Sequence, residues 1–494
     1  MMYQSTRGHG EKVNALQAVL RGLAPDGGLY LPQNLSAIPF EWECTLNEDT
    51  MRIAARVLSA LLPDFDDMDD LVSRAYTGKF EAEELTPTVS VGEDYVLELF
   101  RGPTSAFKDV ALSMLPQLLC AAKAQLGDTD TTLILTATSG DTGKAALAGF
   151  ADVPGVKIVV FYPDQGVSAV QKAQMVTQTG ANVKVCAVNG NFDDAQTGVK
   201  KIFAACAQGA LPADCGVALS SANSINIGRL APQVTYYFKA YADLVRTGAV
   251  TAGDPVDFVV PTGNFGDILA GYFAKILGLP VGMLVCASNA NNVLTNFLTT
   301  GCYDRRRVFH KTASPSMDIL VSSNLERLLY LMTDGDTAVV AEWMRRLNEE
   351  GVYQVPEEVL RKLKKEFWAG CCDDTATART IREVWESHGY LMDTHTAVAW
   401  NVAQQYKAAV DAKRPVVVLS TASPYKFPTA VLGAVQPEQK QPTDEFEQME
   451  HLQELSGVKI PANLAGLRSR EVLHRDCIDP EEMLEYVLAI AGVK

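Results

Sequence analysis

The chain has 494 residues, 47% of them hydrophobic, enough apolar material for two or three domain cores. Its formal net charge of −16 argues against nucleic acid and anionic membrane as general partners, while leaving room for a small anionic ligand in a locally cationic pocket. Ten scattered cysteines include no CxxC pair, so neither a metal site nor a disulfide framework is expected; no signal peptide and no membrane-spanning apolar run is visible, and the expected compartment is the cytoplasm.

Residues 1–90 mix short apolar stretches with turns such as Pro25-Asp26-Gly27-Gly28 and are expected to form a small accessory domain. Beyond them the pattern predicts strands at 95–100, 132–137, 157–162 and 182–188, with helices after Lys108 and at 144–150, 166–179 and 192–207. The alternation resumes with a helix at 225–245, strands at 256–260 and 282–286, a mainly helical stretch at 290–380 that includes a helix at 357–368, and a strand at 415–419. Alternating strands and helices imply an α/β fold with parallel sheets flanked by helices. The expected division is an accessory domain at 1–90, a large domain from 91–125 and 225–494 with a helical insertion at 290–380, and a small α/β domain at 126–224.

In Phe107-Lys108-Asp109, Asp109 suits the first turn of a helix, where a carboxylate meets the positive end of the dipole, and Lys108 does not. A lysine against the local rule is either a solvated surface group or an amine kept for chemistry, and a lysine of lowered pKa can form a Schiff base with an aldehyde. Pro116 inside the helix is expected to kink it.

Three polar turns lie at the carboxyl ends of predicted strands, where open parallel sheets bind ligands, and are expected along one sheet edge. Gly263-Asn264-Phe265-Gly266-Asp267 has the glycines and the helix start of a phosphate site, although such glycines also serve purely steric ends. Ser139-Gly140-Asp141-Thr142-Gly143 is not a P-loop, because Thr138 stands where the first glycine belongs and Ala145 follows Lys144. Its Ser139, Gly140, Asp141 and Thr142 suit a substrate carboxylate or, alternatively, helix capping. Thr421 ends the third strand. An aldehyde-seeking lysine, a phosphate turn and a hydroxyl for a ring nitrogen together fit pyridoxal phosphate.

The chain resembles threonine synthase along nearly its whole length. The resemblance rests on Ser5-Thr6-Arg7-Gly8, on residues 22–30, on Gly102-Pro103-Thr104 with Phe107-Lys108-Asp109, and on the two glycine-containing turns. Asn223-Ser224-Ile225-Asn226, Ser314-Pro315-Ser316-Met317-Asp318 and Leu419-Ser420-Thr421-Ala422 complete it. Arg101 replaces the family's usual histidine, and Ser423-Pro424-Tyr425 its usual His-Pro-Ala. The resemblance implies a tryptophan synthase β-like fold of type II, and Lys108 as Schiff-base lysine and general acid/base. Gly263, Asn264, Phe265, Gly266 and Asp267 would surround the cofactor phosphate, with Thr421 at the pyridine nitrogen. The implied reaction is conversion of O-phospho-L-homoserine and water to L-threonine and phosphate, by a monomer or homodimer.

For the anionic, phosphorylated amino-acid substrate, Ser224, Asn226 and Arg229 are the expected donors, Arg229 having the alternative of a helix-end arginine. His395, after Asp393 and Thr394, reads as a packed residue near a helix cap. A phospho-lyase or a serine/threonine dehydratase releasing a 2-oxo acid and ammonia is the alternative chemistry.

Overall fold

The computed structural model describes residues 1–138, 140–165, 167–212, 214–410 and 413–493. Strand-forming runs rich in Val, Ile and Leu assemble into two main sheets. The larger has six strands in the spatial order Phe367–Cys371, Val281–Ser288, Val256–Pro261, Val416–Ser420, Asp94–Glu98 and Thr88–Val91, parallel except for the last pair. The smaller has five parallel strands ordered Asp476–Ile478, Val183–Val188, Val156–Pro163, Thr131–Ala137 and Val217–Ser220. Helices cover both sheets, which is why their strands read as nearly continuous apolar runs.

The N-terminal segment pairs Tyr3–Ser5 with Tyr30–Pro32 and adds helices Ala15–Arg21, Thr50–Leu61 and Met68–Tyr76. Asn14 and Gln17 form a reciprocal capping box at the first helix, and Asp49 caps the second. Ile53, Val57 and Leu61, spaced by four, bury one stripe of the second helix against the core.

Three expectations need correction. Phe367 and Trp368, read as the end of a helix, begin an edge strand: the helix stops at Glu366 and the apolar run pairs with Leu284–Ser288. A short aromatic run has no period of its own, so only the neighbouring strand settles its state. Residues 476–491, grouped with the large domain, belong with the smaller sheet: Asp476–Ile478 pairs with Val183–Val188, and Met483 and Val487 share a core with Ile202 and Val188. The polar turns do not share one sheet edge, because Thr131–Ala137 leads into Asp141 from the smaller sheet while the other two turns end strands of the larger.

The helix Lys108–Leu126 is continuous through Pro116. Proline has no N–H, so the Leu112 carbonyl lacks its usual helical donor. Gly149, on the helix Asp141–Phe150, packs against that carbonyl so closely that a Cβ would lie 2.0 Å from its oxygen. This close approach seats the Asp141 helix beside the Lys108 helix. Among the described residues no helix is long and apolar enough to cross a membrane.

Candidate active site

Lys108 opens its helix with only 11% of its side chain exposed. Its Nζ donates to Ser316 Oγ at 3.3 Å, lies 3.9 Å from Asp141 Oδ2 and stands 5.3 Å from the centre of the Phe107 ring. Burial brings the Lys108 ammonium down to about 8; Asp141 opposes that shift, and Lys426 and Arg229 add to it. A fraction of the amine is therefore neutral at physiological pH.

The loop before Lys108 is held by the acid after it. Asp109 accepts from the Thr104 backbone at 2.8 Å and from the Thr104 hydroxyl at 2.5 Å, so it organises the loop rather than facing the site. Burial raises the Asp109 carboxyl despite these donors. The loop is stitched to the end of strand Val416–Ser420. Phe107 N–H donates to the Thr421 carbonyl at 2.8 Å, Ser423 N–H donates to the Ser105 carbonyl at 3.0 Å, and Ala106 bridges to Ala422. Thr421, itself buried, is thereby brought beside the Lys108 loop.

Asp141 is the hub. Oδ1 pairs with Lys426 Nζ at 2.6 Å and accepts from Gln171 at 3.0 Å, and Oδ2 accepts from the Ser316 hydroxyl at 3.4 Å. Burial opposes its ionisation, but Lys426 and Lys108 outweigh burial and hold the carboxyl well below the usual range. Ser316 is itself positioned: its backbone N–H donates to His395 Nε2 at 3.1 Å, and His395 Nδ1 lies 2.8 Å from Asp393 Oδ1. That pair places the imidazole proton on Nδ1, so His395 supports Ser316 as an acceptor. Gly140 packs against Gln171, Thr142 is half-buried in the first helical turn, and Ser139 lies outside the described residues.

The turn from Gly263 to Gly266 approaches the same serine. A Cβ on Gly263 would lie 2.5 Å from the Ser316 carbonyl oxygen, so the turn is one backbone away from the partner of Lys108. Phe265 takes a left-handed conformation, φ 64°, to start the helix Gly266–Ile276, while its ring enters the core against Phe367. Asn264 is exposed, and its carbonyl accepts from Asn324 N–H at 3.0 Å. The first N–H groups of the helix have no intrahelical partner and are available to an anion. Asp267 points elsewhere. Its Oδ1 accepts from Tyr236 at 2.6 Å and Tyr237 at 3.1 Å, and burial drives its carboxyl up to about 7. Its expected place around a phosphate is accordingly confined to its backbone.

Of the expected substrate donors, Arg229 is the best placed. It is buried, its charge acts on Lys108, its Nη1 donates to the Ala222 carbonyl at 2.7 Å, and its Nε has no hydrogen-bond partner among the described residues. Burial lowers its guanidinium to about 10. Ser224 accepts from Asn324 at 3.3 Å. Asn226 also serves the fold: Oδ1 caps Gly228 at 2.8 Å and Nδ2 donates to the Val19 carbonyl at 2.9 Å. Arg101, a departure from the family pattern, is tied to Glu98 Oε2 at 2.5 and 2.8 Å. Sequence reasoning missed Lys426 and treated Ser316 only as part of a motif. Lys426 stands between Tyr425 and Phe427, as Lys108 follows Phe107, and a lysine beside aromatic residues was the available signal.

A parallel-sheet fold that buries a partly neutral lysine near a glycine turn and a helix start has the parts of a pyridoxal-phosphate-dependent enzyme. The tight Gly263 turn and the unused Arg229 Nε fit a ligand carrying anionic groups. The family description "Pyridoxal-phosphate dependent enzyme" matches residues 80–358, "Threonine synthase N terminus" matches residues 2–76, and "Threonine synthase, C-terminal" matches residues 396–471. Threonine synthase of Pseudomonas aeruginosa is 40% identical over 440 residues, covering 87% of this chain and 90% of its own. Human threonine synthase-like 1 is 39% identical over 435 residues, covering 85% of this chain; the match spans 58% of that relative's length. The crystal structure of PLP-bound threonine synthase from Brucella melitensis superposes with a TM-score of 0.87 at 37% identity, covering 99% of both chains. The chain belongs to the threonine synthase family of pyridoxal-phosphate-dependent enzymes.

Proposed function

We propose that the protein is a cytoplasmic threonine synthase, acting as a monomer or homodimer on O-phospho-L-homoserine and water to give L-threonine and phosphate. The observation that carries this reading is the buried Lys108 amine, lowered to about 8, together with a buried Arg229 whose charge acts on it and whose Nε has no hydrogen-bond partner among the described residues. One group suits proton transfer and the other a leaving phosphate. The ten free thiols suit a reducing compartment.

Bound pyridoxal phosphate would supply an electron sink for proton loss beside the substrate nitrogen. Backbone N–H groups of the turn from Gly263 to Asp267 would hold its phosphate, and Thr421 would serve the ring nitrogen. Lys108 takes the Cα proton, then takes one from Cβ as phosphate leaves Cγ, returns a proton to Cγ to make the methyl group, and returns a proton to Cα after water adds at Cβ. Ser316 and Asp141 hold Nζ in place for these transfers. Arg229 and Ser224 neutralise and bind the leaving phosphate, while Gly140 and Thr142 receive the substrate carboxylate.

The test is to incubate the cofactor-loaded protein with O-phospho-L-homoserine and measure phosphate, threonine and 2-oxobutanoate together. Equal amounts of phosphate and threonine are expected. Phosphate with 2-oxobutanoate and ammonia would replace this reading by a phospho-lyase, and no phosphate release would overturn the substrate.

A further inference from the structure

Lys426 is fully buried, yet it is 318 positions from Lys108 in sequence and comes from the short turn Pro424–Lys426 after the strand Val416–Ser420. Its Nζ lies 2.6 Å from Asp141 Oδ1 and donates to the Thr104 carbonyl at 3.0 Å. The second contact joins it to the loop that Asp109 organises before Lys108. The first makes Asp141 the shared partner of two lysines, with Oδ1 given to Lys426 and Oδ2 facing Lys108 and Ser316. A carboxylate 3.9 Å from a lysine, acting alone, would stabilise its ammonium form and suppress the free amine.

We propose that Lys426 is a positioning residue for Lys108: by neutralising and orienting Asp141, it lets that carboxylate hold Ser316 and the Lys108 side chain without fixing Lys108 as a permanent ammonium. The charged groups whose fields reach Lys108 are Asp141 from its own helix start, Lys426 from the turn after the strand, Arg229 from the helix Ile227–Arg246, and Asp109 from the Lys108 helix. Asp141 faces Lys426, Lys108 and His395. Lys426 supplies the balancing cation and a rigid link to the Lys108 loop; Arg229 touches the Ala222 carbonyl instead. The inference rests on Lys108 being the reacting amine and is independent of which substrate the enzyme takes.

The experiment follows the pH dependence of Lys108 acylation in the full-length, cofactor-free protein, read by mass spectrometry of the peptide carrying it, alongside the pH profile of turnover of the cofactor-loaded enzyme. In Lys426→Met, Asp141 faces Lys108 unopposed, and the acylation midpoint is expected to rise by about one unit or more. In Asp141→Asn it is expected to fall below the wild-type value. The double variant Lys426→Met/Asp141→Asn removes the pair together and is expected to return the midpoint to within about half a unit of wild type. If Lys426→Met does not fold, Asp141→Asn and the double variant carry the test, because the proposal requires their midpoints to differ. An unmoved midpoint in Lys426→Met, or a double variant indistinguishable from Asp141→Asn, would overturn the proposal. Failure to make threonine with a shifted midpoint would instead reject only the proposed substrate.

Discussion

The starts of the helices Asp141–Phe150 and Gly266–Ile276 look alike in sequence, and their aspartates behave in opposite ways. Both follow a strand, a glycine-containing turn and a first helical turn that favours an acid. Asp141 is buried among Lys426, Lys108 and Ser316, and stays ionised far below the ordinary range. Asp267 is buried among Tyr236 and Tyr237, with Oδ2 unpartnered among the described residues, and burial raises its carboxyl to about 7. Two hydroxyl donors do not compensate for the loss of water around a carboxylate, whereas two ammonium groups do. The acid of one turn becomes the electrostatic hub of the site, and that of the other a partly protonated post beneath the Gly263 turn.

Four substitutions test this contrast. Lys108→Ala removes the amine that Asp141 faces and is expected to lower turnover by roughly a thousandfold or more, with loss of the visible absorbance of lysine-bound cofactor. A variant retaining phosphate release at near wild-type rate would show the hub serves another group. Asp141→Asn removes the negative charge that pairs with buried Lys426, and a cost of about 3–5 kcal/mol is expected in urea unfolding at pH 8. A loss under 1 kcal/mol would mean that water reaches Lys426.

Gly263→Ala drives a Cβ against the Ser316 carbonyl, with an expected destabilisation of about 1–3 kcal/mol and weaker cofactor retention on dialysis. Unchanged retention would separate the Gly263 turn from the Lys108 cluster. The mildest effect is expected from Asp267→Asn, and its sign depends on pH. A carboxyl raised to about 7 from an unfolded value near 3.8 binds more protons folded than unfolded between those values, so stability falls as pH rises through that window. The penalty is absent below it and complete above it. Asp267→Asn should therefore flatten the decline of Tm from pH 5 to pH 8 and gain stability relative to wild type at pH 8. Asp141→Asn should lose it at the same pH, and equal slopes for wild type and Asp267→Asn would remove the contrast.

Lys108 was legible because it broke a local rule, and the Gly263 turn because strand, glycine and helix start follow one another within a few residues. Lys426 was not legible as a partner of Asp141, since 285 positions separate them and nothing local distinguishes a buried lysine from a solvated one. The fold contacts of Asn226 were not legible for a related reason. Its motif suited a substrate donor, but the helix cap and the Val19 carbonyl of the N-terminal segment took both ends of its amide. The edge strand Phe367–Cys371 was lost inside an apparent helix because five residues carry too little periodicity to declare a state.

The sequence by itself determined the alternation of strands and helices, the turns at strand ends and the lysine that breaks the local helix rule, because these depend on periodicity, backbone freedom and preferences acting within a few residues. Only the tertiary structure decided which sheet each turn belongs to, which aspartate meets cations and which meets tyrosines, and that His395 supports Ser316. Charge and proton affinity inside a protein are set by neighbours within a few ångströms, and here those neighbours come from segments tens to hundreds of residues apart.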